Sequence, residues 1–323
     1  MINLDKIGFY TLTNERAKTA SEKTPLSRCE IVLTNKCNFN CPYCRHIGGE
    51  DLEIKTAVKI INFALENKTK AIRFSGGEPT LYKDLGKLIS LVSGKIERIA
   101  ISTNGSSNLS FYKNLIKMGV NDFSISLDAC CAEDNKKMTG NKNIWEIVIS
   151  NIKELSKENY VTVGTVLTND NIRKINEIVK FASDLGVADV RIIPAAQYDN
   201  TLNSLSISKE ILDKHPILKY RVNNIINGRK LRGLSKCDSH KCGLVLDDLA
   251  IMGDYHYPCI IYMRENGKPV GKVDKETRKQ RKIWYDNHDT FEDEICKKNC
   301  LDVCIDYNNL YEEENRKTKC LKL

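Results

Sequence analysis

Cys29-Glu30-Ile31-Val32-Leu33-Thr34 runs, after a two-residue spacer, into Cys37-Asn38-Phe39-Asn40-Cys41-Pro42-Tyr43-Cys44. The first piece has the length and β-branched content of a buried strand. The second places three thiols at C-x3-C-x2-C in the loop that leaves that strand. Thiolates packed this tightly can ligate three corners of a cubane iron–sulfur cluster and leave the fourth iron open. A zinc site would need a fourth ligand, for which His46 is the nearby candidate, and two C-x2-C knuckles are its commoner arrangement.

Outward from this stretch, strand and helix signals alternate. Strands are expected at Ala71–Ser75, Arg98–Ser102, Phe123–Leu127, Val161–Leu167 and Val190–Ile193. Helical apolar spacing covers 54–66, 81–92, 109–118, 144–157 and 172–184 between them. Six β units in strict alternation with helices predict a parallel sheet with its chemistry at the carboxyl ends of the strands. The rhythm stops at 196–236, where one helix is expected near 208–227. The remainder, 237–323, looks too poor in apolar residues to fold by burial alone, which makes bound metal a source of its stability.

Composition narrows the class. The chain has 323 residues, 41% hydrophobic and 28% charged, as in a folded globular protein. No apolar run approaches a membrane span and the first residues lack a secretory signal, so the expected location is cytoplasmic. Lys and Arg exceed Asp and Glu by 50 to 42, too small an excess to argue for nucleic acid. The densest basic run, Arg278-Lys279-Gln280-Arg281-Lys282, reads as a solvated face. Thirteen cysteines are the anomaly: three fall at 37–44 and seven after 236. In a reducing compartment such clusters point to metal rather than disulfides.

The triplet, with Tyr43 in its aromatic slot, resembles the signature of the radical S-adenosylmethionine (SAM) superfamily, and later segments agree. Gly76-Gly77-Glu78-Pro79 resembles the superfamily's GGE element, whose backbone and acidic side chain hold the SAM amine. Ser102-Thr103-Asn104-Gly105 and Ser126-Leu127-Asp128 resemble segments that face the SAM ribose or the substrate. Asn104 and Asp128 are equally readable as turn and helix caps. Met138-Thr139-Gly140 resembles the form found in the molybdopterin-precursor cyclase branch. Arg191 is a candidate for the SAM carboxylate, or a snorkelling surface residue. The resemblance implies an α/β fold, a partial (β/α)6 TIM-like barrel over 28–195. An extension (1–27) precedes it, and a linker (196–236) and a small cysteine-rich domain (237–323) follow. It also implies 4Fe–4S clusters, SAM, an external one-electron reductant of flavodoxin or ferredoxin type, and hydrogen abstraction by a 5′-deoxyadenosyl radical.

The late cysteines resemble the auxiliary-cluster extension called SPASM, or its shorter twitch form. By that resemblance Cys237, Cys242, Cys259 and Cys304 would hold one auxiliary cluster. Cys296, Cys300 and Cys320 would hold a second, with Asp293 at its missing ligand position. Two spacings depart from the pattern: Gly253 to Cys259 is one residue long and Cys296 to Cys300 two short. One or two auxiliary clusters, or a zinc ribbon, remain open. Cys29 reads as packed core, and Cys130 and Cys131 as candidate hydrogen donors to a substrate radical. The extension implies first a peptide or protein side chain as substrate, to be oxidised, crosslinked or epimerised. The alternative is a small molecule such as a nucleotide, sugar or amino acid.

Overall fold

The computed structural model describes residues 14–45, 50–140, 143–197 and 205–320, with side chains through residue 317. His46 lies outside these residues. Six strands, β1 (Arg28–Thr34), β2 (Ala71–Gly76), β3 (Arg98–Thr103), β4 (Asp122–Ser126), β5 (Tyr160–Leu167) and β6 (Asp189–Pro194), pair in parallel in that order. Between them run α1 (Ile54–Glu66), α2 (Leu85–Val92), α3 (Leu109–Lys117), α4 (Ala132–Thr139), α5 (Trp145–Glu158) and α6 (Ile175–Asp184). This is the expected partial barrel.

The helices cover the outer face of the sheet with apolar stripes. Helix α1 buries Ala57, Ile60, Ile61 and Ala64, spaced at three and four residues, against the strands. The inner face is polar. Arg98 Nε donates to Asp122 at 2.6 Å, and Arg28 grips Asp248 with two bonds of 3.0 and 2.7 Å. Alternation along each strand accounts for both faces: Ile31 and Leu33 point out to the helices, while Arg28 and Glu30 point in.

Three expectations need correction. The helix near 208–227 is two, α7 (Lys209–Lys214) and α8 (Pro216–Ile226), because Pro216 lacks the N–H that a continuous helix requires. The cysteine-rich region is joined to the sheet rather than set beside it. Its strand β7 (Asp248–Met252) pairs parallel with β1, and β8 (Tyr255–Tyr257) and β9 (Gly271–Lys272) extend the sheet to nine strands. Its remaining elements are α9 (Ile260–Arg264), α10 (Thr277–Asn287), α11 (Glu294–Asn299) and α12 (Asp302–Cys320). Apolar burial is also better than composition suggests, because Ala17 and Ala20 of the leading segment pack with Leu244, Val245, Tyr307 and Tyr311.

The third correction concerns the basic run, which lies on α10. Arg281 is fully buried and donates to the carbonyls of Val245, Asp248, Tyr257 and Pro258. Arg278 donates to those of Ser21, Glu22, Thr24 and Leu246. Two of the run's four cations therefore bind loops together, while Lys279 is exposed and Lys282, half-exposed, pairs with Asp286. Among the described residues no helix is long and apolar enough to cross a membrane.

Candidate active site at the strand ends

The cysteine loop leaves β1 and is held by its neighbours' backbones. Gly77 N donates to Thr34 O (2.7 Å) and Glu78 N to Lys36 O (2.8 Å). Glycine is required for this approach: a Cβ on Gly77 would sit 2.4 Å from the Lys36 carbonyl oxygen. Gly76 has φ +154°, and its Cβ would lie 2.4 Å from Thr34 O. On the other side Asn40 N donates to Thr139 O at 2.8 Å, so the Met138-Thr139-Gly140 segment anchors the loop. Sequence reading missed that anchor, which joins positions about a hundred residues apart.

Within the loop, Cys44 N bonds Cys41 O at 3.0 Å, and Phe39 N approaches the Cys37 sulfur at 3.4 Å. Asn104 Nδ2 lies 3.8 Å from that sulfur and 2.8 Å from Asn38 Oδ1, while its Oδ1 accepts from Ser106 N. Asn104 thus both shapes its turn and supports the first cysteine. Burial pushes all three thiols up, Cys41 to about 12. Such thiols give up their protons to a metal centre rather than to water. Three sulfurs on one short loop at the strand ends fit three corners of a four-iron cluster.

The Glu78 carboxylate turns inward, contrary to the expectation that it reaches SAM. It is fully buried and accepts from Thr80 N, Thr80 Oγ1, Thr103 Oγ1 and Asn104 N at 2.6–3.0 Å. It ties the end of β2 to that of β3, and Pro79, also buried, starts the tight turn behind it. Asp128 does not cap α4, whose N-cap is Cys131. Its carboxylate accepts from Val166 N (2.6 Å) and from the Tyr43 hydroxyl, and burial raises it to about 6. Tyr43 is thereby pinned beside Cys44.

Beneath the loop the barrel encloses a cavity that Tyr43, Cys44, Ser102 and Arg191 all line. Arg28, Arg73, Arg221, Arg232 and Arg264 line it too, against Glu30 and Glu265. Arg191 donates to Ser124, so it points inward and does not snorkel. Burial lowers Arg73 to about 10, with Arg28 and Arg98 adding to the effect. Cys130 and Cys131 do not line this cavity. After Asp128 the chain turns outward; the Cys130 sulfur faces Glu177 on α6 and Cys131 is exposed. Their expected role as hydrogen donors finds no geometric basis here.

The late cysteines converge, but not in the expected grouping. Cys242, Cys259, Cys296, Cys300 and Cys304 line one apolar cavity with Pro258, Tyr262 and Trp284. Burial raises Cys242 to about 11 and pushes Cys259 and Cys296 higher, while the hydrogen bond between Cys300 and Cys304 raises Cys300 and lowers Cys304. Cys237 is exposed and outside the cavity, and the Cys320 side chain lies outside the described residues. Asp293 is the N-cap of α11: its Oδ1 accepts from Ile295 N and Cys296 N at 2.9 and 2.8 Å. Cys304 and Ile261 line both cavities, so the two lie side by side.

Comparisons with known proteins agree with this geometry. Residues 31–182 match the family model described as the Radical SAM superfamily, which stops short of the late cysteines. A probable GTP 3′,8-cyclase of Metallosphaera sedula is 29% identical over 52% of this chain and 56% of its own length. The Drosophila melanogaster molybdenum cofactor biosynthesis protein 1 is 33% identical over 50% of this chain and 30% of its own. The match thus spans about half or less of these relatives. Among solved structures, Streptococcus suis SuiB superposes with a TM-score of 0.58 at 19% identity, covering 82% of this chain and 66% of SuiB. The structure titled native anSMEcpe with bound AdoMet and Cp18Cys peptide gives 0.58 at 17%, covering 92% and 98%. At these identities the structures share the fold alone. Residues 31–182 of this chain thus match the Radical SAM superfamily by sequence, and the parallel strand order and the three-cysteine loop agree with that match.

Proposed function

We propose that this chain is a radical SAM enzyme whose substrate is a small, negatively charged molecule of the phosphorylated-nucleoside type. The observation that carries this reading is the arginine-lined cavity beside Cys44. Arg73, Arg191, Arg232 and Arg264 have no carboxylate partner there among the described residues, and the Nε atoms of the first three are buried without a hydrogen bond. Cations outnumber the two acids that line the cavity, and a buried guanidinium not paired directly with a carboxylate is costly; a bidentate phosphate or carboxylate relieves that cost. The GTP cyclase names of the sequence relatives favour the same class over a peptide.

Cys37, Cys41 and Cys44 would hold the SAM cluster, with Asn104 supporting Cys37 and Tyr43 fixed by Asp128. When bound, cluster and SAM supply a 5′-deoxyadenosyl radical by one-electron reductive cleavage, the electron coming from an external flavodoxin or ferredoxin. The chain's own part is to seat the anion against Arg73 and Arg191 and keep the cavity closed to bulk water. Cys242, Cys259, Cys300 and Cys304 fit one auxiliary cluster: all four are lodged in the one cavity, and Cys304 places it next to the substrate.

The test is reductive SAM cleavage by anaerobically reconstituted protein, read as 5′-deoxyadenosine. A nucleoside triphosphate should bind and change the cleavage rate, and Arg73→Met with Arg191→Met should weaken its binding at least tenfold. Equal binding of the uncharged nucleoside, or of a short neutral peptide, would overturn the substrate class. SAM cleavage surviving in a Cys37, Cys41, Cys44 triple alanine variant would overturn the chemistry.

A further inference from the structure

Five cysteines share the late cavity, and a four-iron cluster takes four. The fifth has other company. One ring nitrogen of His288, a carboxylate oxygen of Asp293 and the Cys296 sulfur all lie within 4.8 Å of one another. Thiolates on separate corners of an iron–sulfur cube stand farther apart than ligands of a single ion, so this grouping suits one metal.

The distances within it are selective. An ion about 2.0–2.2 Å from an imidazole nitrogen and a carboxylate oxygen, at a tetrahedral angle, separates those two atoms by about 3.4 Å. His288 Nε2 and Asp293 Oδ2 are 3.4 Å apart. Their approach is not a hydrogen bond: Nε2 is buried and has no hydrogen-bond partner. With the Cys296 sulfur within 4.8 Å of both, the three are close enough to share one ion.

The surroundings hold all three ligands in place. Backbone amides of Ile295 and Cys296 bind Asp293 Oδ1, and the Tyr262 hydroxyl donates to Oδ2 at 3.0 Å, leaving that oxygen a free lone pair. The His288 ring stacks on Trp284 with centroids 4.0 Å apart, and its backbone N bonds Trp284 O. Partners of this kind orient metal ligands and fix their donor strength.

We propose that His288, Asp293 and Cys296 bind one zinc-type divalent ion, separate from the iron–sulfur clusters. The proposal rests on the reading of Cys242, Cys259, Cys300 and Cys304 as the auxiliary-cluster set. Nitrogen, oxygen and sulfur donors together match zinc, and three protein ligands leave a fourth position for water. The site stands where sequence resemblance placed a second cluster, and it replaces that cluster with a single ion.

The experiment counts metals in the purified, cluster-loaded protein after one equivalent of zinc is added and loose metal removed. The expected result is one zinc per chain, with one sulfur and nitrogen or oxygen neighbours at the zinc X-ray absorption edge. His288→Ala should lose the zinc while iron content and cluster spectra stay unchanged, and His288→Cys, which restores a ligand, should keep it. Wild-type protein without bound zinc overturns the proposal. So does Cys296→Ala that loses about four irons and keeps its zinc. Cys304→Ala that loses no iron would instead sink the auxiliary-cluster reading and leave the zinc site standing.

Discussion

Cys37, Cys41 and Cys44 occupy one eight-residue loop, whereas Cys242, Cys259, Cys300 and Cys304 are gathered from separate elements along the last third of the chain. The loop is partly exposed and hangs from a framework complete without it, the glycine contacts to β2 and the Thr139 carbonyl. The late set is half-buried, and its cavity walls are the joints between α9, α10, α11 and α12. A ligand set borrowed from a finished framework can be removed without unfolding it. A set that is the framework's own junction cannot.

The sharpest break of this contrast exchanges the two sets. Alanine at Cys37, Cys41 and Cys44 should abolish SAM cleavage, remove about four irons, and leave thermal stability of the apo-protein unchanged. Alanine at Cys242 and Cys304 should remove a similar amount of iron and open the late region, so that limited proteolysis cuts after about residue 236 while the barrel core survives. Equal protease resistance of the two variants would refute the difference.

The late region also has a metal-independent support, Arg281. Its guanidinium bonds four carbonyls and the His256 Nδ1 atom (3.2 Å) from a fully buried position. Arg281→Met keeps the volume and strands those acceptors, at a cost on the order of 4–5 kcal/mol. Chemical denaturation of the reconstituted protein should register it. The half-exposed neighbour Lys282, replaced by Met, should change stability by less than about 0.5 kcal/mol.

That pair shows where sequence reading stopped. Arg281 and Lys282 are adjacent cations on α10, and only the helix's docking against Val245 and Tyr257 decides which is buried. Cys237 and Cys242 differ in the same way: both suit the ligand spacing, yet only the second faces the cavity. The strands and the cysteine loop were legible because each is a local pattern with a local cause, whereas the contact of Gly76 and Gly77 with Thr34 and Lys36 was not. The cap role of Asp293 was missed, although an acidic residue before a short helical run is a signal that could have found it. The resemblance had drawn attention instead to its place in a ligand pattern. Contacts such as Asn40 to Thr139 join distant positions and leave no periodic trace.

His256 extends the comparison to pH. Arg281 donates to its Nδ1, so Nε2 bears the proton and donates to Gln280 Oε1 at 3.0 Å. Burial, then the Arg281 charge, lowers the imidazole to about 4, while Asp274 opposes the shift. An unfolded histidine titrates near 6.5. The unfolded chain therefore binds the extra proton first, and stability present above pH 6.5 is lost as the pH falls toward 4. The loss amounts to about 3 kcal/mol. His256→Gln should flatten that stretch of the stability profile, and an unchanged slope would mean other groups set it.

The smallest expected effect is at the loop. Asn104 Nδ2 lies 3.8 Å from the Cys37 sulfur, a weak N–H···S contact on a residue otherwise held by Asn38 and Ser106. Such a contact stabilises negative charge on the sulfur, and therefore favours the reduced, more negative form of a cluster bound there. Asn104→Ser preserves the turn, because a serine oxygen can still accept from Ser106 N, but it removes the donor. The loss of one weak bond, about 0.5–1 kcal/mol, corresponds to a potential lower by roughly 20–45 mV for a one-electron couple. Potentiometric EPR measures it directly, as the difference between this variant and wild type, both with every cysteine set intact. A shift to higher potential would mean that Asn104 does not donate to Cys37. Loss of the cluster would mean that Asn104 holds the loop itself, so that the first site too is part of the framework that carries it.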